Sequence, residues 1–522
     1  MSTFSVSRRA LLGMGGGLAA AGALTLAGCS SADAGASSSS GGLSGVAKML
    51  LPGDVPPGWE AVQEKLNTKL KAELGFTIEP QFINWSNYAQ QALLKFTAGE
   101  EFDTALQALW LNMAQLAQQG ALADLAGTFD KYSDLSTYMP AQLIKSNTWN
   151  GGHLWGVPQV NSAGRIHHMA IRQDLAEKIG QSSIKTYADW ERYLYLVKEK
   201  GGGTIPYGAA SNQTNVLAVP APTSQFCAES WDDPHMIPLS FSGKSVFWIP
   251  AKDAKTTKSS KVIPHWEDER VVATFKRIRQ YYLDGIINKD ALNTDNATIK
   301  SQFVAGKYGA VWAITDGLSS DLLVALRKAI PTAMLANVAP FANGLSAKPN
   351  QTFQADNLAV VNAKGGNVDR ALALQNWLSK KENYDLLNYG IEGTDWKPVG
   401  DTKYEAVSKY SFPGFALAWR SGLARRTSYM TDTESVMLDW AQKYENFTVD
   451  PFANFIPNSE VVRAELAAMT TVTTQYVNPL YYGVVDVGPQ LDKLKKAAEG
   501  AGLAKLQAEM EKQANEYLSK NA

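Results

Sequence analysis

The sequence predicts an α/β protein built as more than one compact lobe, and three observations carry that reading. At 522 residues the chain exceeds what one ordinary hydrophobic core holds. With 45% apolar and 19% charged residues it can bury large cores, which argues against disorder or a fibrous repeat. From Val46 onward, short apolar runs alternate with helically spaced ones, the order that strand, crossover helix and strand require.

Val46 to Leu51 reads as a first strand, ended by the Pro52-Gly53 turn, and Trp59 to Leu74 has helical spacing. Phe76 to Ile83 reads as a second strand, and Ser86 as the N-cap of a helix reaching Phe96. Asp103 to Leu109 is a third strand, followed by a helix over Met113 to Gln119 that Gly120 stops. This order needs right-handed crossovers and a mainly parallel sheet, whose ligands sit outside the carboxyl ends of the strands.

The first 45 residues are set apart from the fold. Ser7-Arg8-Arg9 precedes an uncharged Gly- and Ala-rich stretch that ends in Leu26-Ala27-Gly28-Cys29, so residues 1–28 read as an export signal. The stretch is too short and too rich in glycine to span a bilayer. The paired arginines resemble a twin-arginine signal, and Leu-Ala-Gly-Cys resembles a bacterial lipobox, in which the Cys29 thiol takes a diacylglyceryl group and cleavage follows Gly28. Two or more acyl chains anchor far better than one. Residues 29–45, mostly Ser, Ala and Gly with Asp33 as the one charge, form a flexible tether. The remaining cysteine, Cys227, then has no disulfide partner and reads as a small buried hydrophobe.

Charge and motifs exclude several functions. The 49 basic residues are matched by 50 acidic ones, so no excess exists to neutralise a phosphate backbone and nucleic acid is excluded as a partner. Gly243-Lys244-Ser245 looks like the end of a phosphate loop, but Pro238 occupies the position of its first glycine. No Gly-x-Ser-x-Gly turn or His-Glu-x-x-His helix occurs. Asp290, Asn293 and Asp295 miss the spacing of a calcium loop, and no metal or cofactor site is expected.

A resemblance becomes specific in several motifs that follow one another in order. Asp103 in Glu-Phe-Asp-Thr-Ala-Leu, then Gln119 to Leu125, then His153-Leu154-Trp155-Gly156-Val157-Pro158, resemble the first lobe of bacterial extracellular solute-binding proteins serving ABC sugar importers. Ile171 to Leu175 followed by Thr186 to Trp190 resembles the opening of that family's second lobe, and Phe303 to Trp312 its return segment. Tyr389-Gly390-Ile391-Glu392-Gly393-Thr394-Asp395-Trp396 is similar to the signature of oligosaccharide-binding lipoproteins of the LplA and LipO type.

The resemblance implies a two-lobed, class II type binding-protein fold with a ligand cleft between lobes joined by hinge crossovers. It implies a first lobe of residues 46–160 plus 307–365 and a second of 161–306 plus 366–522 with a helical C-terminal part. The chain would leave the first lobe near Val157 to Ser162 and return near Lys307 to Ile314. It further implies a monomeric, non-enzymatic receptor, lipid-anchored outside the cell membrane, that hands an oligosaccharide to ABC permease subunits and their ATPase. Two alternatives remain: a surface glycoside hydrolase or lyase working with a carboxylate pair, and a binder of a non-sugar solute.

A pyranose presents C–H faces and hydroxyl edges, so its cleft needs aromatic platforms and fixed polar groups. Among 14 tryptophans, those in loops or at strand ends are the candidates: Trp85 with Tyr88, Trp110, Trp155, Trp312, Trp396 and Trp419. Trp190, Trp377 and Trp440 lie within helical patterns and read as core. The polar candidates are Asn161 and Arg165 beside the crossover, Asp356 and Asn357 before a late strand, and Arg420, with Asp103, Asp316 and Glu392 as second choices.

Overall fold

The computed structural model describes residues 43–521 apart from 150–151, 161, 165, 212–214, 216, 218–235, 242–243, 251–260, 316–318, 340–347 and 349. The export signal, Cys29, Cys227, Asn161, Arg165 and Asp316 lie outside the described residues.

Along the chain, β1 (Gly45–Pro52), α1 (Trp59–Leu74), β2 (Phe76–Ile83), α2 (Trp85–Ala98), β3 (Thr104–Gln107) and α3 (Met113–Gln118) form the opening α/β unit. Then follow β4 (Val157–Gln159), β5 (His167–Arg172), α4 (Tyr187–Lys200), β6 (Ile205–Gly208), α5 (Glu269–Leu283) and α6 (Asn296–Val304). β7 (Tyr308–Ile314), α7 (Asp321–Ala329), β8 (Leu335–Val338), β9 (Asn357–Val361), α8 (Val368–Trp377) and α9 (Lys381–Tyr389) come next. The chain closes with α10 (Asp432–Ala441), α11 (Arg463–Val472), α12 (Val487–Gly500) and α13 (Leu503–Asn521).

Two sheets define two lobes. The first has the order β2-β1-β3-β9-β4, with β1 parallel to β2 and β3, and β9 antiparallel to β3 and β4. The second has the order β8-β5-β7-β6. Local chemistry explains the opening elements. α1 buries Trp59, Val62, Leu66 and Leu70 on one stripe. Gly75 ends it at φ 85°, and a Cβ there would stand 2.4 Å from the Leu43 carbonyl oxygen, so glycine is required. α2 is capped by Asn84, whose side chain accepts from the Ser86 N–H, two residues ahead of the cap read from the sequence. α4 carries the anticipated start, a reciprocal Thr186–Asp189 capping box, and buries Trp190.

The division of the chain between lobes differs from the expected one. β7 pairs with β5, so residues 308–314 belong to the second sheet rather than the first. The return to the first lobe falls instead between β8 and β9. Residues 366–418, expected in the second lobe, pack on the first: Leu374, Trp377, Leu387, Phe412 and Ala416 share a core with Leu50 and Leu106. A wholly apolar strand such as Tyr308–Ile314 carries no mark of which sheet receives it, and an amphipathic helix none of which core it covers. The chain crosses a third time between Arg420 and α10, where the buried Glu434 carboxylate accepts from the Ser319 and Ser320 N–H groups at the start of α7 (both 2.8 Å).

The crossings meet at an aromatic cluster. Phe353 of the second crossing lies 5.0 Å from Tyr444 and 6.0 Å from Phe447, and Phe447 lies 4.8 Å from Trp440. Gly164 of the first crossing packs flush on the Phe447 ring, since a Cβ there would stand 2.3 Å from its Cζ. The helices α11 to α13 close the second lobe's core with Met469, Leu494, Leu506 and Met510.

Candidate functional site

Trp85 and Trp110 follow directly on β2 and β3, at the carboxyl ends of parallel strands flanking β1, where open α/β sheets leave a crevice. They are 45% and 44% exposed, unlike the tryptophans of the cores. Their rings stand 6.2 Å apart, Trp85 stacks on Phe415 at 5.7 Å, and Phe415 meets Trp419 edge-on at 5.9 Å. Four aromatic rings thus form a continuous wall on the first lobe. Its register is fixed at both ends. The Trp110 indole N–H donates to the Asp356 carbonyl (2.8 Å), and the Trp419 N–H donates to Gln159 Oε1 (3.0 Å).

Arg420 locks the Trp419 end. Its guanidinium, 1% exposed, donates to Gln159 Oε1 (2.9 Å), Gln375 Oε1 (2.5 Å), Ser379 Oγ (3.3 Å) and the Trp419 carbonyl (2.7 Å). No carboxylate is among these partners. Burial lowers its pKa to about 10, against the opposing effect of Tyr384, so the group remains charged at neutral pH. Arg420 therefore sits beneath the wall and orients it, whereas the sequence suggested direct ligand contact.

Beside Trp110 opens a cleft of about 700 Å³ between the lobes. Trp110, Asn112 and Gln115 line it from the first lobe; Gln354 stands on a crossing; Phe452, Phe455 and Glu460 close it from the segment before α11, with Arg463 from the first residue of α11. Aromatic faces with amide, carboxylate and guanidinium groups match a ligand that has both apolar faces and hydroxyl edges.

The other candidates fall at the crossing, in the interior and at places apart from the wall. Asp356 joins Trp419 in lining a small pocket at the crossing. Tyr88 is fully buried, its hydroxyl donating to the Leu50 and Leu106 carbonyls (both 3.0 Å), and burial raises its pKa far above the usual tyrosine range. Trp396 is 3% exposed, with its indole N–H on the Gly390 carbonyl (3.1 Å) and the Arg425 guanidinium over its ring. Asn357 is buried in β9 opposite Gln159. Asp103 is buried in an ion pair with Arg370 (2.7 Å) and accepts the Asn367 N–H ahead of α8. Glu392 is exposed in the turn before Trp396. Trp155 stacks on His153 at 4.8 Å, apart from the four-ring wall. Trp312 belongs to the second lobe, where its indole donates to His167 Nδ1 (2.7 Å) and Lys300 stands 5.6 Å above its ring.

Phe415, Gln159 and the 450–463 segment were not singled out from the sequence. Phe415 lacks the rarity that made tryptophan conspicuous, though Pro413-Gly414 before it marks a loop. The phenylalanines of Asp450 to Pro457 sit between two prolines, a loop signal that helical neighbours obscured.

Residues 54–385 match the bacterial extracellular solute-binding protein family, and residues 451–519 match a domain of unknown function. The chain belongs to the bacterial extracellular solute-binding proteins. It is 25% identical over 99% of its length, and 98% of the relative's, to a carbohydrate ABC transporter substrate-binding protein of Streptococcus pneumoniae. It is 23% identical to lipoprotein LipO of Bacillus subtilis over 59% of this chain and 57% of that one. Among solved structures it is similar to the N-glycan transport solute-binding protein NgtS of Streptococcus pneumoniae, with a TM-score of 0.73 at 20% identity over 91% of this chain and all of that one. A solute-binding protein of Bifidobacterium longum infantis described as binding HMO has a TM-score of 0.61 at 17% identity over 90% and 98%. These likenesses establish the two-lobed fold.

Proposed function

We propose that the protein is the receptor of an ABC importer, a monomer that captures an oligosaccharide between its lobes and delivers it unaltered to permease subunits and their ATPase. The observation that carries this reading is the wall of Trp85, Trp110, Phe415 and Trp419 beside an amide-rich interlobe cleft. Each ring can take one sugar face, so four in a row suit an oligomer better than a single sugar. The carbohydrate ABC transporter relative and the NgtS complex with Man5GlcNAc support the same ligand class. Ligand binding shifts the lobes from open to closed, the change a transporter reads.

The export signal and lipobox, together with the lipoprotein LipO relative, support anchoring at Cys29 on the outer face of the cell membrane, with palmitate as one acyl component. The twin-arginine route rests on Arg8-Arg9 alone.

A thermal-shift screen of residues 41–522 against oligosaccharides, monosaccharides, peptides and metal salts tests the reading, with mass spectrometry of each hit. A ligand at a hundredfold over its Kd adds about 2.7 kcal/mol, enough to see. Stabilisation by one glycan series left chemically intact is the expected result. Cleavage of the glycan, or stabilisation by peptides or metals alone, contradicts it.

A further inference from the structure

The cleft beside Trp110 has a neighbour. On the far side of the 454–458 segment lies a second chamber of about 780 Å³, bounded by Trp149 of the first lobe and by Glu516 and Tyr517 of α13. Phe455 and Ile456 line both spaces, so the two share one wall. That wall is attached to each lobe: Phe455 packs on the second lobe's core, Ile456 on the first lobe's, and the Asn454 side-chain amide donates to the Lys145 carbonyl (2.9 Å).

The second chamber repeats the chemistry of the first, with the Tyr517 ring 5.3 Å from Phe455 and exposed Lys512 and Glu516 carrying opposite charge. Two residues of its lining, Trp149 and Asn454, each carry a polar atom that is closed off from solvent and has no hydrogen-bond partner within the protein. Trp149, 2% exposed, leaves its indole N–H without an acceptor, and Asn454 Oδ1 lacks a donor. One is a donor and the other an acceptor; a hydroxyl, which is both, pairs with either only once its side chain turns that atom toward the chamber. The balance of lysine and glutamate suits a neutral ligand.

We propose that this chamber receives a second arm of a branched neutral oligosaccharide whose first arm lies along Trp110. The proposal rests on the receptor reading above and adds the shape of the cargo: two arms straddling the Phe455–Ile456 wall. A linear glycan needs one chamber, a branched one both.

The test is calorimetric titration of the full chain in detergent with Man5GlcNAc and with branched milk oligosaccharides, each beside its unbranched trunk. Trp110→Ala lowers affinity for branched and trunk ligands alike. The double substitution Lys512→Ala with Glu516→Ala, on exposed helix positions, lowers affinity for the branched member about tenfold and leaves the trunk unchanged. Equal affinity of wild type for branched and trunk ligands, or an α13 variant that binds branched ligand as wild type does, overturns the second chamber and leaves the receptor reading intact. Failure of the wild type to bind any glycan overturns both.

Discussion

The two lobes treat their tryptophans differently. In the first lobe, Trp85 and Trp110 leave the ends of parallel strands with nearly half their surface exposed, and Phe415 and Trp419 extend them into a row. In the second, Trp312 stands within a strand, half-buried, its indole N–H spent on His167 and Lys300 over its ring. A ring at a strand's carboxyl end is held by its backbone yet free to meet a ligand; a ring within a strand is held by its neighbours and has little face left. Affinity should therefore lie mainly on the first lobe, with the second lobe closing over it.

Substitutions can break this contrast. The largest expected effect is on the support of the wall. Arg420→Met strands the Gln159, Gln375 and Ser379 acceptors and should cost about 3 kcal/mol in denaturant unfolding, with weaker ligand binding as Trp419 loses its anchor. A neutral result would mean the guanidinium is idle. Next comes Trp110→Ala, which should lower ligand affinity by about 2 kcal/mol, roughly thirtyfold, while the unliganded thermal midpoint barely moves. A large loss of midpoint with normal affinity would make Trp110 a packing residue.

Tyr88→Phe sharpens the comparison from inside. It removes a hydroxyl that bridges β1 and β3, so about 1–2 kcal/mol of stability should be lost with affinity unchanged. Trp312→Ala should weaken binding less than Trp110→Ala does, and an equal or greater loss would put the second lobe on a par with the first. The smallest effect concerns His168, buried beside Asn337, whose pKa burial pushes below the usual histidine value. The unfolded chain then binds the proton more readily than the folded one. Stability from this residue is whole above about pH 6.5 and falls as pH drops from there toward the folded pKa. His168→Gln should flatten that part of the pH–stability curve.

Sequence patterns gave the opening unit nearly residue by residue, because β1, α1 and β2 have alternating or helical apolar spacing bounded by Pro52, Gly53 and Gly75. Lobe membership first departs from the expected division at β7. Which sheet accepts Tyr308–Ile314, and which core α8 and α9 cover, depends on partners hundreds of residues away. The site was legible where a rare residue follows a strand, as at Trp85 and Trp110. It was not at Tyr88 and Trp396, where an aromatic in the same sequence neighbourhood turns inward because backbone carbonyls there take its polar atom. The Tyr389–Trp396 motif that marked the resemblance is a folding device: Asp395 accepts the Ile391 N–H and the Ser408 hydroxyl, and positive φ at Gly390 lets its backbone approach that carboxylate.

The most direct test of the aromatic wall as the ligand platform is calorimetric titration of Trp85→Ala with Trp110→Ala, using whichever glycan stabilises the wild type. The account predicts loss of measurable binding with the unliganded thermal midpoint within a few degrees of wild type. Wild-type affinity in that double variant would contradict it and move the platform to the second lobe.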